Sequence, residues 1–222
     1  MKAIVLDTET TGIDEPEIIE AAYIVLGEDI AGIKILQTFN KRFKPSKEIE
    51  LGALATHHIL DYELDDCEPS SSFELPFDEG YVIGHNVDYD MQHWTSTTYK
   101  KICTLALSRS IWPTLKSHNQ TSMMYHVNGR SARTRDMLTG AHSAMTDVMN
   151  CGVVLEAIIS ALKPASWEEL YQMSEKARIP THMTFGKHKG TPISELPKSY
   201  IQWFLNQADI DKYLEIALRR VK

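Results

Sequence analysis

Cysteine is scarce in this chain. Cys67, Cys103 and Cys151 are the three thiols in 222 residues, widely spaced and without a Cys-x-x-Cys pair. That pattern excludes a disulfide framework and a thiolate zinc site, and leaves reduced thiols as the expectation. Long apolar runs are also missing: no stretch approaches the roughly 18 consecutive apolar residues of a membrane span, so no membrane partner is expected. The N-terminus lacks the basic, apolar and small-residue order of a secretion signal and opens at once into Ala3-Ile4-Val5-Leu6, so the expected location is cytoplasmic. Excess positive charge is absent too, with 23 basic residues against 30 acidic ones and a net charge of −7. Taken alone, that sum argues against a nucleic-acid binder. It weighs less if several acids hold cations, since a pair of divalent ions would offset about four of the charges.

What is present begins with a length and a 43% hydrophobic content that suffice for one sizeable domain with its own core and a small appendage. The informative stretch is Ala3 to Gly12. Four apolar residues read as a short buried strand that runs into Asp7-Thr8-Glu9 and then a Thr-Thr-Gly turn. Positions i and i+2 of a strand share a face, so Asp7 and Glu9 project together. Two adjacent anions are unfavourable without positive charge between them, and a hard divalent cation with oxygen ligands, Mg²⁺ or Mn²⁺, answers that need.

Residues 17–26 read as a second strand and 33–43 as a third, the start of a mixed sheet, with Lys41, Arg42, Lys44 and Lys47 making its end basic. Residues 50–59 look helical and carry His57 and His58, whose side chains diverge on a helix, which favours structural or substrate-facing roles over ligation. The acidic, Ser- and Pro-containing stretch 61–79 reads as a loop. Tyr81-Val82-Ile83-Gly84 is another short strand, followed by His85-Asn86-Val87-Asp88-Tyr89-Asp90, a strand-to-helix junction with Asn86 near the N-cap and Asp90 in the first helical turn. Residues 102–109 are apolar-periodic, and 114–137 are polar and loop-rich, with Arg130, Arg133 and Arg135 suited to phosphates or simply solvated.

His142 and Asp147 precede a long apolar helix. Five residues of helix rotate by about 500°, so the two side chains would point roughly 140° apart if both were helical. For both to act at one centre, His142 must lie on the entering loop and Asp147 within the helix. Ser166-Trp167-Glu168-Glu169 is a capping-box pattern opening a further helix to about Lys176. Beyond Arg178-Ile179-Pro180, the segment from Met183 to Ile193 reads as a hairpin-like turn with glycines at its ends, followed by helical segments near 200–206 and 210–220. The expected division is a main domain over 1–165, a connecting helix and linker over 166–180, and a small α+β module over 181–222.

The ordered set Asp-x-Glu, His-Asn-x-x-Tyr-Asp and His-x-Ala-x-x-Asp resembles the DEDDh 3′→5′ exonucleases, the superfamily of polymerase proofreading exonucleases and ribonuclease T. Cys103-Thr104-Leu105-Ala106-Leu107-Ser108-Arg109 with Trp112-Pro113, and Phe185-Gly186-Lys187-His188-Lys189-Gly190, extend the resemblance to the exodeoxyribonuclease X family of bacteria over most of the chain. The resemblance implies a ribonuclease H-like α/β fold, a mixed sheet flanked by helices, and a 3′→5′ exodeoxyribonuclease that releases nucleoside 5′-monophosphates from single- or double-stranded DNA 3′ ends. It implies two divalent cations: Asp7 bridging, Glu9 and Asp147 completing one metal, Asp90 supporting the second. His142, with an ordinary pKa near 6.5, suits a general base on the attacking water. Expected substrate contacts are Thr10, Ile13, His57 and Asn86, with Ile13 against the terminal base or else packed on the neighbouring strand. Lys187 and Lys189 suit phosphates, or else form a solvated hairpin tip. Two other readings remain open: a 3′→5′ exoribonuclease, and a non-catalytic polymerase-accessory protein of the same fold. Nothing in the sequence identifies a protein partner.

Overall fold

The computed structural model describes residues 2–93, 98–183, 185–208 and 210–221. Thr184, within the expected hairpin-like turn, lies outside them. Strands β1 (Ala3–Thr10), β2 (Ile18–Leu26), β3 (Ile35–Arg42), β4 (Gly80–Gly84) and β5 (Tyr99–Cys103) form one sheet in the order β3-β2-β1-β4-β5. The first three make an antiparallel meander, while β4 lies parallel to β1 and β5 parallel to β4. The helices are α1 (Leu51–His57), α2 (Val87–Asp90), α3 (Thr104–Ile111), α4 (Gln120–Asn128), α5 (Ala132–Met137), α6 (Ala144–Leu162), α7 (Trp167–Ala177), α8 (Lys198–Leu205) and α9 (Lys212–Arg219). This is the ribonuclease H-like α/β arrangement, a mixed sheet flanked by helices.

The strand periodicity of two divides the core. Ala3 and Val5 of β1 face a cluster built with Val148, Cys151, Leu155 and Ile158 of α6, whereas Ile4 and Leu6 face a second cluster with Tyr23, Phe43 and Val82. Asp7 and Glu9 continue the α6-facing row past the end of the apolar run. They therefore emerge where the N-terminus of α6 arrives.

Two features go beyond the sequence reading. Residues 99–101 join the sheet in β5, whose outward lysines are tied down: Lys100 Nζ lies 2.5 Å from Glu168 Oε2, and Lys101 pairs with Asp88 at 3.5 Å. The polar stretch 114–137 contains α4 and α5, each opened by a side-chain cap: Asn119 accepts from the Ser122 N–H at 2.9 Å, and Ser131 from the Thr134 N–H at 3.1 Å. Helix α6 is the long apolar helix that the sequence leads one to expect, with a mean hydropathy of 1.5, apolar enough by length and composition to cross a membrane. Here it is the central core helix, packed on β1 and β2.

Residues beyond 181 gather their own apolar cluster, including Met183, Ile193, Ile201, Phe204, Leu214 and Leu218. Arg178 pins this unit to the sheet domain. Its side chain, 5% exposed, reaches Asp88 at 3.1 Å and donates to the Tyr213 hydroxyl at 2.6 Å. Tyr213 in turn donates to Glu175 at 2.7 Å.

Candidate active site

The site is assembled at the C-terminal end of β1. Asp7 and Glu9, both partly buried, meet Asp147 from the first turn of α6, and one carboxylate oxygen of each lies within 4.8 Å of the others. Among the described residues no lysine or arginine pairs with any of the three. Burial and mutual repulsion accordingly favour the protonated forms. Asp7 is raised well above the usual carboxylate range by burial and by Asp90, Asp147, Glu9 and Glu20, and Glu9 is pushed up to about 8 by burial and by Asp147, Glu20 and Asp90. Three all-oxygen donors converging without a counter-charge suit one hard divalent cation.

Asp90 lies outside that convergence but beside it. Its Oδ1 accepts hydrogen bonds from both the Thr8 N–H and the Thr8 hydroxyl, each at 3.0 Å. Burial outweighs those bonds and lifts its pKa to about 7. Asp147 is also raised by burial, opposed by its hydrogen bonds from the His142 N–H and Gln120.

The entry to α6 takes the form that the spacing demands. His142 sits on the loop before the helix, in the left-handed region at φ 67°, with Gly140 at φ 87° two residues earlier. The His142 N–H donates to Asp147 Oδ2 at 2.9 Å, so the main chain is fixed while the imidazole stays exposed. Asp147 Oδ1 accepts from Gln120 Nε2 at 2.9 Å, and the same amide reaches the Asp147 carbonyl at 2.9 Å. A left-handed histidine is uncommon backbone geometry and marks the loop as over-determined by its neighbours.

Residues that the sequence did not single out hold this arrangement. Glu20 stands directly across the β1–β2 pair from Glu9, and its carboxylate accepts from the Ala144 N–H at the start of α6 at 2.9 Å and from Arg42 at 3.4 Å. The register slips between Glu9 and Thr10, a bulge of the kind found beside functional sites. Tyr89 clasps the turn: its hydroxyl donates to the Gly12 carbonyl at 3.1 Å and lies 2.7 Å from Thr10 Oγ1. A side chain at Gly12 would collide with the Glu50 carboxylate. The signal for Tyr89 was present in the His-Asn-x-x-Tyr-Asp motif. For Glu20 and Gln120 there was none, because their partners are distant in sequence.

The expected substrate contacts separate. Thr10 is buried and committed to the turn. Ile13 is 83% exposed, which removes the packing alternative for it. His57 is buried, accepts from the Ile59 N–H through Nδ1 at 3.0 Å and leaves Nε2 without a partner. Asn86 is exposed at the head of α2 in the left-handed region at φ 86° and makes no side-chain cap.

An exonuclease family model of the ribonuclease T type matches residues 4–155, and a second model, described as a quorum-sensing-regulated virulence factor, matches 172–209. Exodeoxyribonuclease 10 of Escherichia coli K12 is 26% identical over 212 residues, spanning 92% of this chain and 91% of its own. Among solved structures, exonuclease X in complex with 5′-overhanging duplex DNA superposes with a TM-score of 0.62 at 20% identity, covering 78% of this chain and 99% of that one. The nuclease domain of 3′hExo bound to rAMP gives a TM-score of 0.52 at 14% identity, covering 72% and 92%.

Proposed function

Because the chain belongs to the DEDDh-type exonuclease family, we propose that it is a metal-dependent 3′→5′ exodeoxyribonuclease that releases nucleoside 5′-monophosphates from DNA 3′ ends. The observation that carries the choice of DNA is the similarity to exodeoxyribonuclease 10 over nine-tenths of both chains.

In this reading Asp7, Glu9 and Asp147 would hold one divalent cation, Mg²⁺ or Mn²⁺, and Asp7 and Asp90 would support a second. When bound, such ions would supply charge neutralisation at the phosphodiester, a more acidic water and stabilisation of the leaving oxygen. The chain contributes position and proton transfer. His142, exposed on a loop locked by Asp147, takes the proton of the attacking water. Thr8 fixes one Asp90 oxygen through two hydrogen bonds and leaves the other to the site. Glu20 sets the height of the α6 N-terminus, and with it both His142 and Asp147. No Ser or Cys nucleophile is required, so hydrolysis is direct. Ile13, unpacked and beyond the turn, stands against the terminal base, with His57 and Asn86 around the terminal nucleotide, while Thr10, its hydroxyl engaged by Gly12 and Tyr89, contributes by holding that turn.

The test is a release assay on 5′-labelled DNA and RNA oligonucleotides of one sequence, with Mg²⁺, with EDTA, and with the Asp7→Ala variant. Stepwise 3′ shortening of DNA that EDTA and the substitution both stop is the expected result. Faster shortening of RNA would reassign the substrate, and EDTA-resistant cleavage would remove the metal mechanism.

A further inference from the structure

The C-terminal unit carries an aromatic row that begins in its own core, at Phe204 and the half-buried Tyr200, and runs out to the surface. Phe204 is buried, and around it stand Tyr200, Trp203 and Phe185, at ring-centroid distances of 5.0, 4.8 and 5.8 Å. Tyr200 and Trp203 lie three residues apart on α8, hence on one face, with rings nearly parallel at 23° and 5.9 Å apart. His188 extends the row, 4.4 Å from Tyr200. The outer members are left open: Trp203 is 54% exposed and Phe185 49%. Rings of this size at a surface mark a contact site when they are grouped rather than scattered.

Cations frame the row. Lys187 and Lys189, both exposed, flank His188 on a loop whose shape depends on glycine, with Gly186 at φ 70° and Gly190 at φ 84°. A side chain at Gly186 would also press on the Tyr200 hydroxyl at 3.2 Å. The loop is closed by hydrogen bonds from Gly190 N–H to the Met183 carbonyl at 2.8 Å and from Met183 N–H to the Thr191 carbonyl at 2.9 Å. Residues 181–222 hold seven basic and four acidic residues, a net +3 in a chain whose total is −7. The unit that carries the rings thus has the opposite net sign to the rest of the chain, and Lys187 and Lys189 put two of its charges beside His188. Between this unit and the sheet domain runs a cleft of about 510 Å³, with Asn86, Leu105 and Arg109 on one side and Phe185 and Tyr213 on the other. Asn86 immediately precedes the helix that carries Asp90, so the cleft joins the ring surface to the flank of the carboxylate site.

We propose that Trp203, Tyr200, His188 and Phe185, with Lys187 and Lys189, form a platform for single-stranded DNA: bases stack on the rings while the lysines hold the intervening phosphates. Stacked rings alternating with cations take any base, because every base has a π-face. The identity of the polymer rests on the exonuclease reading; the stacking itself does not. The platform engages a strand beyond the terminal nucleotides, so its contribution grows with substrate length.

The experiment uses the full chain in EDTA, which stops turnover, and fluorescence anisotropy with a labelled 30-nucleotide oligo(dT) and a labelled trinucleotide. Trp203→Ala and Phe185→Ala should each weaken the 30-mer about tenfold and leave trinucleotide binding within twofold. Trp203→Phe, which keeps a ring, should restore most of the loss. The Lys187→Gln, Lys189→Gln double variant should flatten the salt dependence of 30-mer binding by about two phosphate contacts. Unchanged 30-mer affinity in Trp203→Ala and Phe185→Ala, with melting temperatures like the parent, overturns the platform, as does an equal loss on both oligonucleotides. Absence of nuclease activity in Mg²⁺ would instead defeat the exonuclease reading, and the binding comparison in EDTA would still decide the platform.

Discussion

At the scale of single residues the site is a cluster of like charges, and its behaviour follows from that. Asp7→Ala or Asp147→Ala should abolish cleavage while preserving the fold, since each removes one donor and also relieves repulsion; near-parental turnover in Mg²⁺ would refute the assignment. His142→Ala should slow turnover by roughly 10²–10⁴-fold with metal affinity intact. A parallel loss of metal affinity in calorimetry would make it a ligand instead. The same charges govern metal-free stability. Glu9 rises from an ordinary 4.5 to about 8 and Asp90 from 3.8 to about 7, so both bind protons more tightly folded than unfolded. Their stabilising contribution is complete below about pH 4 and is lost as pH rises through 7 to 8. In EDTA the melting temperature should therefore fall between pH 5 and pH 8.5, and Mg²⁺ or Mn²⁺ should recover it at the upper end. A melting temperature in EDTA independent of pH would contradict this electrostatic account. Ile13, exposed with no packing role, offers a substrate readout: Ile13→Ala should slow digestion of duplex ends more than of single strands. Equal slowing on both would leave it without a part in opening the duplex.

At the scale of elements, placement matters more than identity. Helix α6 brings Asp147 and the His142 loop to β1, and Glu20 sets where that helix starts by accepting the Ala144 N–H. Glu20→Ala should lower kcat about ten- to hundredfold, because small displacements of positioned groups are costly, while Glu20→Gln, which keeps an acceptor, recovers most of it. An unchanged kcat in Glu20→Ala would show that α6 is located by its apolar packing alone. The carboxylates were legible in the sequence because a strand period of two and the helical rotation between His142 and Asp147 are local constraints. β5 was not, because Tyr99-Lys100-Lys101 has the polarity of a loop until Glu168 and Asp88 are seen beside it. Helices α4 and α5 escaped for a related reason: α4 buries the adjacent pair Met123 and Met124, which gives no helical stripe to read. Glu20 looked like one polar residue in an apolar strand, its partner lying 124 positions further on.

At the scale of the whole molecule, an acidic sheet domain and a basic C-terminal unit are joined through Arg178, and both are built around apolar clusters of unequal size. The larger cluster depends on α6, which is apolar enough to pass for a membrane span and buries one face against the sheet. Unfolding must expose that segment. Long apolar stretches released from a melted core associate faster than they refold, so the loss of structure becomes one-way. Heating should then give an apparent transition that moves with scan rate and disappears on a second scan, and calorimetry at two heating rates with a rescan would check it; full recovery on rescanning would contradict it. Durability in this protein is consequently a matter of rate: what prolongs activity at elevated temperature is a slower first opening of the sheet over α6.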